Sequence, residues 1–92
     1  MKVTLKCSGY LRSFFGQGAE TVELPENASI QDLLDWIEQH HGSQLPPRLW
    51  DFGRHRFRGA AALVIDDETA LDYTTPLAEN QEVMVIYSVA GG

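Results

Sequence analysis

Apolar and polar residues alternate at the start of the chain. Val3, Leu5 and Cys7 are separated by polar residues, which is the period-two pattern of a strand with one buried and one solvent-facing side. A second alternating stretch, residues 21 to 24, ends at Pro25, which has no amide proton to continue a ladder. Glycines and aromatic residues fill positions 8 to 18 and indicate a turn. This part of the chain therefore predicts a β-hairpin.

A helical period follows. Apolar residues recur at the spacing of one helix face at Ile30, Leu33, Leu34 and Ile37. Ser29, with Asp32 three positions later, is a variant of the capping box. Gly42 supplies a stop signal. We therefore expect a helix over residues 30 to 41 with one apolar face against a sheet.

The second half of the chain predicts three further strands. Residues 60 to 65 are an apolar run typical of a buried strand, and residues 66 to 68 are expected to form its turn. A short strand is expected at 70 to 73 and a long one at 82 to 89. Asn80, just before the last strand, is expected to take a left-handed turn conformation. The segment 43 to 59, broken by Pro46 and Pro47, is expected to be irregular.

The order strand, strand, helix, strand, short strand, strand predicts the fold. It indicates an α+β protein of the β-grasp (ubiquitin-like) type, a mixed sheet with one main helix packed on one face. The first and last strands would lie side by side and parallel, as a right-handed crossover permits. We expect one domain over residues 1 to 92.

The last strand is apolar on both sides. Val83 and Val85 alternate with Met84 and Ile86, yet a single helix covers only one face of a sheet. The other face is therefore expected to expose an apolar patch, as protein interfaces commonly do. The alternative is that the irregular segment 43 to 59 covers it.

Charge and composition exclude several classes. The net charge of −6 argues against nonspecific binding to nucleic acid or anionic lipid. No apolar run approaches the roughly 20 residues that cross a bilayer, and the start lacks the pattern of a signal peptide, so we expect a cytoplasmic protein. Cys7 is the sole cysteine and is in phase with the buried residues of its strand, which favours a core thiol over a nucleophile. No metal site is expected at His40 and His41, because adjacent helical residues point in different directions.

Arginines are concentrated in residues 48 to 58, namely Arg48, Arg54, Arg56 and Arg58. An extended backbone would place the last three on one side, where they would hold a phosphate or an acidic partner. A solvent-exposed loop is the favoured interpretation, because one short basic run in an acidic chain is not a nucleic-acid footprint.

The chain finishes with Gly91-Gly92 after an apolar strand. Glycines lack Cβ atoms, so such a segment can pass through a channel too narrow for side chains. We therefore expect the Gly92 carboxylate to be the working group. The alternative is a frayed terminus without a role.

Several segments together resemble the ThiS/MoaD sulfur-carrier family over nearly the whole chain. They are Leu11-Arg12, Pro76-Leu77, the polar turn and strand start at 79 to 83, and the ending at 89 to 92. The length resembles the MoaD branch, the small subunit of molybdopterin synthase, more than the shorter ThiS carriers of thiamine biosynthesis. The chain departs from the family at Asn80, where glycine is usual, and at Tyr87 and Ser88, where proline is common.

The resemblance implies a chemistry in which the chain is a carrier and not an enzyme. An E1-like adenylating enzyme of the MoeB/ThiF type would use ATP and Mg²⁺ to adenylate Gly92. A sulfurtransferase or cysteine desulfurase would then supply persulfide sulfur, which makes Gly92 a thiocarboxylate. Val89, Ala90, Gly91 and Gly92 would enter the active site of a molybdopterin synthase large subunit of the MoaE type. No catalytic side chain and no cofactor bound by this chain are implied.

The expected partner-binding residues are Met84, Ile86, Tyr87 and Arg12. Three alternative functions stay open from the sequence. The same activated Gly92 attacked by a lysine amine would make the chain a ubiquitin-like protein modifier. A sulfur carrier for thiamine synthesis and a β-grasp interaction module without terminal chemistry are the others.

Overall fold

The computed structural model describes residues 1–7, 9–16 and 18–87. Within them, five strands form one mixed sheet in the order β2-β1-β7-β5-β6, and two short strands, β3 and β4, pair separately. The strands are β1 Lys2–Cys7, β2 Ala19–Glu23, β3 Trp50–Asp51, β4 Arg56–Phe57, β5 Ala61–Ile65, β6 Glu68–Thr69 and β7 Gln81–Tyr87. The α-helices are α1 Arg12–Phe15 and α2 Ile30–His41, and 3-10 turns cover Gly9–Leu11 and Gly42–Gln44.

The first and last strands lie side by side at the centre of the sheet. β1 and β7 are parallel, with Leu5 opposite Val83 and Cys7 opposite Val85. β2 pairs antiparallel with β1, and β5 pairs antiparallel with β7. The predicted β-grasp arrangement is confirmed. Because β1 and β7 run in the same direction, their carboxyl ends lie at the same end of the sheet.

Helix α2 begins and ends where the sequence predicts. Ser29 Oγ accepts a hydrogen bond from the Asp32 amide at 3.2 Å, and Asp32 Oδ2 accepts one from the Ser29 amide at 2.8 Å. This capping box satisfies two of the amides that a helix start leaves unpaired. Gly42 ends α2 in a right-handed conformation, with φ −56°, and not in the left-handed one that usually makes glycine a stop. A Cβ there would lie 3.3 Å from Glu38 Cγ, so close packing explains the glycine.

The segment 43 to 59 contributes to the hydrophobic core on the helix side of the sheet. Leu45, Leu49, Trp50 and Phe57 are buried in the same cluster as the apolar face of α2. Trp50 is fully buried, and its Nε1 donates to Glu38 Oε1 at 2.8 Å. The segment is more ordered than its composition indicates, since β3 and β4 form a small hairpin.

Two local predictions were wrong. The short strand expected at 70 to 73 lies at Glu68–Thr69, because Asp66 and Asp67 both have positive φ, 53° and 65°, and reverse the chain within two residues. Glu68 therefore pairs with Ile65 instead of belonging to the turn. The aromatic segment after β1 was expected to be a simple turn, but Gly9–Leu11 and Arg12–Phe15 are helical.

The turn before β7 ties the two central strands together. Asn80 has φ 64°, which confirms its left-handed conformation, and its amide donates to the Lys2 carbonyl at 2.7 Å. The Lys2 amide in turn donates to the Glu79 carboxylate, and this hydrogen bond lowers the pKa of Glu79. The register of β7 against β1 is therefore fixed from its first residue.

Candidate functional site

The predicted tail begins where the described residues end. The predicted tail residues Val89, Ala90, Gly91 and Gly92 lie outside the described part of the chain. Tyr87 ends β7. The surroundings of Tyr87 therefore define the surface from which the tail continues.

An aromatic and basic cluster surrounds this end of β7. The rings of Tyr10 and Tyr87 lie 4.6 Å apart between centroids, and Phe14 meets Tyr10 edge to face at 5.4 Å. The Arg48 guanidinium donates a hydrogen bond to the Tyr10 hydroxyl. We call Tyr10, Phe14, Arg48 and Tyr87 the exit cluster. It joins the 3-10 turn after β1, helix α1 and the loop before β3 to the last residues of β7.

The side of the sheet away from α2 carries the predicted apolar patch, and we call it the open face. Met84 is 36% exposed and lies between Lys6 of β1 and Val64 of β5. Ile86, opposite Ala62, is half-buried on the same side. Because the segment 43 to 59 packs on the helix side, it does not cover this face.

Charges flank the patch on the open face. Lys6 Nζ lies 3.0 Å from Glu82 Oε2, and both side chains are largely exposed. Such a pair contributes little to stability in water. An apolar centre with a charged rim is the usual composition of a protein-binding surface.

Tyr87 and Arg12 do not share the open face with Met84 and Ile86. Tyr87 lies on the helix side of the sheet, where it packs against the core and against Tyr10. Adjacent residues of a strand point to opposite faces, so Ile86 and Tyr87 cannot belong to one flat patch. Arg12 is exposed on α1, and its guanidinium packs over Gly18, where a Cβ would lie 3.0 Å from Nε.

The arginines of 54 to 58 do not align as an extended strand would place them. His55 has φ 54° and turns the chain between Arg54 and Arg56. Arg54 is 74% exposed and pairs loosely with Asp51 at 3.9 Å. Arg56 instead lies over the Tyr73 ring, 4.8 Å from its centroid. The alternative of three arginines on one side of an extended segment is therefore not observed, whereas the favoured exposed-loop interpretation fits Arg54.

Cys7 has the properties of a core thiol. It is partly buried at the end of β1 and packs against the hydrophobic core. Burial, with a further contribution from the Glu20 carboxylate, raises the pKa of the thiol to about 11. The protonated thiol is a weak nucleophile, so Cys7 is unsuited to take part in sulfur transfer.

Within residues 1–7, 9–16 and 18–87, no group of three His, Cys, Asp or Glu side chains is placed to hold a metal ion. Nor does any helix in that part of the chain have the length and apolar character to span a membrane.

Comparisons with solved structures show the fold. SAMP1 of Haloferax volcanii, a small archaeal modifier protein, is 20% identical, with 100% of each chain covered and a TM-score of 0.80. A protein assigned as molybdopterin converting factor subunit 1 from Pyrococcus furiosus is 22% identical, with 97% of this chain and 99% of that chain covered and a TM-score of 0.74. A complex of subunits 1 and 2 of the molybdopterin-converting factor of Helicobacter pylori contains a chain with 16% identity, full coverage of both chains and a TM-score of 0.65.

Two comparisons of the sequence itself gave different results. No curated protein sequence matches the chain at a significant level. The model of the ThiS family matches residues 6–92, which include the last two residues of β1, the exit cluster, β7 and the terminal glycines. The match spans nearly the whole chain, and the fold agrees with it. The chain belongs to the ThiS family.

Proposed function

We propose that this chain is a sulfur carrier whose Gly92 carboxylate is adenylated and then converted to a thiocarboxylate, and that it acts as the small subunit of molybdopterin synthase. The observation that carries the proposal is the family match, which continues through Gly91 and Gly92. The fold supports it, because β7, the strand that precedes the terminal segment in sequence, lies beside β1 in the centre of the sheet.

The chemistry starts from an unreactive group. A carboxylate is resonance-stabilised and anionic, so it must be activated before sulfur can replace oxygen. An E1-like partner with ATP and Mg²⁺ would join the Gly92 carboxylate to the α-phosphate and release pyrophosphate. A donor persulfide would attack the acyl carbon and release AMP. A thiol would then cleave the resulting acyl disulfide, which leaves a thiocarboxylate on Gly92 and a disulfide on the donor.

The roles of this chain's residues are positional. Gly91 and Gly92 have no side chains to obstruct a narrow active site, and Val89 and Ala90 lead them there. Met84 and Ile86 on the open face offer the apolar contact that holds a partner. The exit cluster fixes the last residues of β7 against the body of the domain. The acid, base and anion-binding groups would come from the partner, so the chain itself is not an enzyme.

The proposed acceptor partner is a large subunit of the MoaE type. In the Helicobacter pylori neighbour, subunit 1 of the molybdopterin-converting factor is in complex with subunit 2. A subunit of the same fold with an open apolar face is suited to the same kind of pairing.

Reconstitution tests this specific role. The thiocarboxylated chain, prepared by chemical ligation, is mixed with a MoaE-type subunit and precursor Z, and molybdopterin is measured by fluorescence of its oxidised derivative. The matched control carries an ordinary carboxylate on Gly92. We expect molybdopterin only in the mixture that contains the thiocarboxylated chain, and none in the mixture that contains the carboxylate control. Equal yields from both chains, or none from either while an established small subunit is active, would contradict the role in molybdopterin synthesis.

A second candidate function, that of a protein modifier, is suggested by the structural similarity to SAMP1, a small archaeal modifier protein. In that role a lysine amine would attack the adenylated Gly92 and form an isopeptide bond. A tryptic digest of cells that express the chain would contain lysines bearing the C-terminal remnant of this chain. A chain that lacks Gly92 would leave no such remnant.

A further inference from the structure

A groove lies near the start of β7, at the other end of this strand from Tyr87. It has a volume of about 280 Å³ between the β5–β6 hairpin, the start of α2 and the loop before β7. Its floor is apolar, formed by Ile30 and Leu77, which are buried, and by Ile65, which is half-buried. Leu71 stands at its mouth and is 87% exposed. Leu71 therefore offers an apolar contact beside the floor to a bound partner.

The walls of this groove are held by backbone hydrogen bonds. The first amides of α2, at Ile30 and Gln31, donate to the carbonyls of Thr75 and Tyr73 at 3.0 and 2.9 Å. The Leu77 amide donates to the Ala28 carbonyl at 2.8 Å. These bonds anchor the loop 73 to 77 to the helix start. The groove is therefore preformed, which reduces the ordering cost of binding.

The rim of the groove is acidic. Asp66, Glu68 and Asp72 line it, and all three are exposed. No lysine, arginine or histidine is among the lining residues. In the described part of the chain, no salt bridge joins these carboxylates to a basic side chain. We call the site the acidic groove.

Asp72 is held in its charged form. Its Oδ1 accepts hydrogen bonds from the amide and the hydroxyl of Thr74, at 3.0 and 2.6 Å. These bonds lower the pKa of the Asp72 carboxyl. The rim therefore keeps its negative charge at neutral pH without an internal counter-ion.

The acidic groove is separated from the exit cluster by the length of β7. β5 runs antiparallel to β7, with Ala61 opposite Tyr87 and Val64 opposite Met84, so the turn after Ile65 lies near the start of β7. Six strand steps separate Gln81 from Tyr87, which is roughly 20 Å. A partner in the acidic groove would leave the tail free to enter another protein's active site.

We propose that the acidic groove binds a protein segment that carries an apolar side chain flanked by lysine or arginine. The apolar side chain would cover the floor and Leu71, and the flanking cations would pair with Asp66, Glu68 and Asp72. This docking site lies on the α2 side of the sheet and the open face lies on the other side, with Asp66 at the turn bordering both. Binding there does not depend on the chemistry of Gly92. It would let a second, basic protein remain bound during transfer from the tail.

Peptide titration tests this proposal. The probe is a short capped peptide with one leucine between two pairs of lysines, added to ¹⁵N-labelled full-length protein up to about 1 mM, where weak contacts are still detected. Two matched peptides replace the leucine by serine, or the lysines by glutamates. We expect saturable amide shifts over 65 to 77 with the first peptide only, and weaker binding as salt is raised.

Charge-matched variants locate the interaction. Asp66→Asn with Glu68→Gln removes two rim charges while Asn tolerates the left-handed conformation at 66. Glu23→Gln with Glu26→Gln removes two exposed charges elsewhere. We expect the first pair to weaken binding roughly three- to tenfold, the second pair to have little effect, and Leu71→Ser to weaken binding without unfolding the protein.

Four results would overturn the proposal. They are no saturable binding by the leucine peptide, shifts centred on the open face, equal binding by the glutamate peptide, or equal loss in both charge variants. Self-association of the free protein that blocks the peptide and is lost in Asp66→Asn with Glu68→Gln would also overturn it, because it would assign the acidic groove to a second copy of this chain.

Discussion

The ring of Tyr10 packs against the ring of Tyr87 at 4.6 Å, with the ring planes inclined by 52°. Tyr87 is the last described residue of β7, and Tyr10 follows β1, the strand beside it. Arg48 donates to the Tyr10 hydroxyl and ties this pair to the loop before β3. Tyr10 thus adds a side-chain contact at the end of β7 to the pairing of Tyr87 with Ala61 of β5, and in our proposal this contact positions the end of β7 for the activating enzyme.

Replacing Tyr10 with alanine tests this positioning. We expect Tyr10→Ala to slow adenylation of Gly92 by an activating enzyme severalfold. The unfolding free energy should fall by about 1–3 kcal/mol, because Tyr10 pairs with both Phe14 and Tyr87 and each aromatic pair contributes about 0.5–1.5 kcal/mol. Pyrophosphate exchange and urea unfolding measure the two effects. Tyr10→Phe keeps the ring contact and removes the hydroxyl, so it should retain most of the rate. Unchanged exchange in Tyr10→Ala would contradict a positioning role.

The open face yields a separate prediction. Met84→Arg places a charge at the centre of the apolar patch, where desolvation on binding is unfavourable. We expect the affinity for the activating enzyme and for a MoaE-type subunit to fall at least about tenfold, with little change in stability because Met84 is already 36% exposed. Calorimetric titration measures both affinities.

Thr21→Arg is the matched control for that variant. Thr21 is exposed on β2 and lies on the same side of the sheet, opposite Thr4 and away from β7. The Thr21→Arg substitution therefore adds the same charge as Met84→Arg, but outside the apolar patch. If both variants bind equally well, the open face is not the partner surface.

The sequence predicts those features that depend on local periodicity. Helix α2 follows from its apolar spacing and from the pairing of Ser29 with Asp32, and all of it lies where expected. The open face follows from a simple count, since β7 is apolar on both sides and the fold has one main helix. The parallel pairing of β1 and β7 required the order of all the elements taken together.

Features set by tertiary contacts were missed. The sequence correctly predicts a turn after β5, but it does not indicate that the turn has only two residues, Asp66 and Asp67, because both are non-glycine residues with positive φ. The Trp50 hairpin is ordered by burial of its indole and by a hydrogen bond to Glu38, a residue twelve positions earlier. The opposite facing of Tyr87 and Ile86, by contrast, was readable from strand alternation.

Asn80 tests the turn that fixes the register of β7. Asn80→Val puts a β-branched residue at φ 64°, and we expect it to lower the unfolding free energy by about 1–2 kcal/mol. Asn80→Gly, the residue usual in the family, should stay within about 0.5 kcal/mol of the original chain, because glycine takes this conformation freely. Urea denaturation measures both. Equal losses in the two variants would mean that the left-handed backbone is not the cause.

Ionisation of Cys7 is expected to lower the stability of the protein at alkaline pH. Its folded pKa of about 11 exceeds the ordinary value of 9.0, so between these values the unfolded chain loses the proton while the folded chain keeps it. Stability is therefore full below pH 9 and falls as pH rises toward 11. Because the thiol is only partly buried, solvent screening limits the loss to about 1 kcal/mol.

Comparison with Cys7→Ala isolates this effect. The difference in unfolding free energy between the original chain and Cys7→Ala should shrink from about pH 8 to about pH 10.5. The folded thiol should also react slowly with an alkylating reagent near neutral pH and quickly in urea. If the difference in unfolding free energy between the two chains does not change with pH, burial does not raise the pKa of the Cys7 thiol.

The most direct test of the account is mass spectrometry of the C-terminal peptide. The chain is incubated with a MoaD-type activating enzyme, ATP, Mg²⁺ and a persulfide donor, and an alkylating step traps any thiocarboxylate. Oxidation of Met1 or Met84 adds nearly the same mass as sulfur, and Cys7 also alkylates, so the change must be mapped by fragmentation. We expect a trapped sulfur on Gly92. An unmodified Gly92, under conditions that charge an established carrier, would show that the chain is not a sulfur carrier for this enzyme.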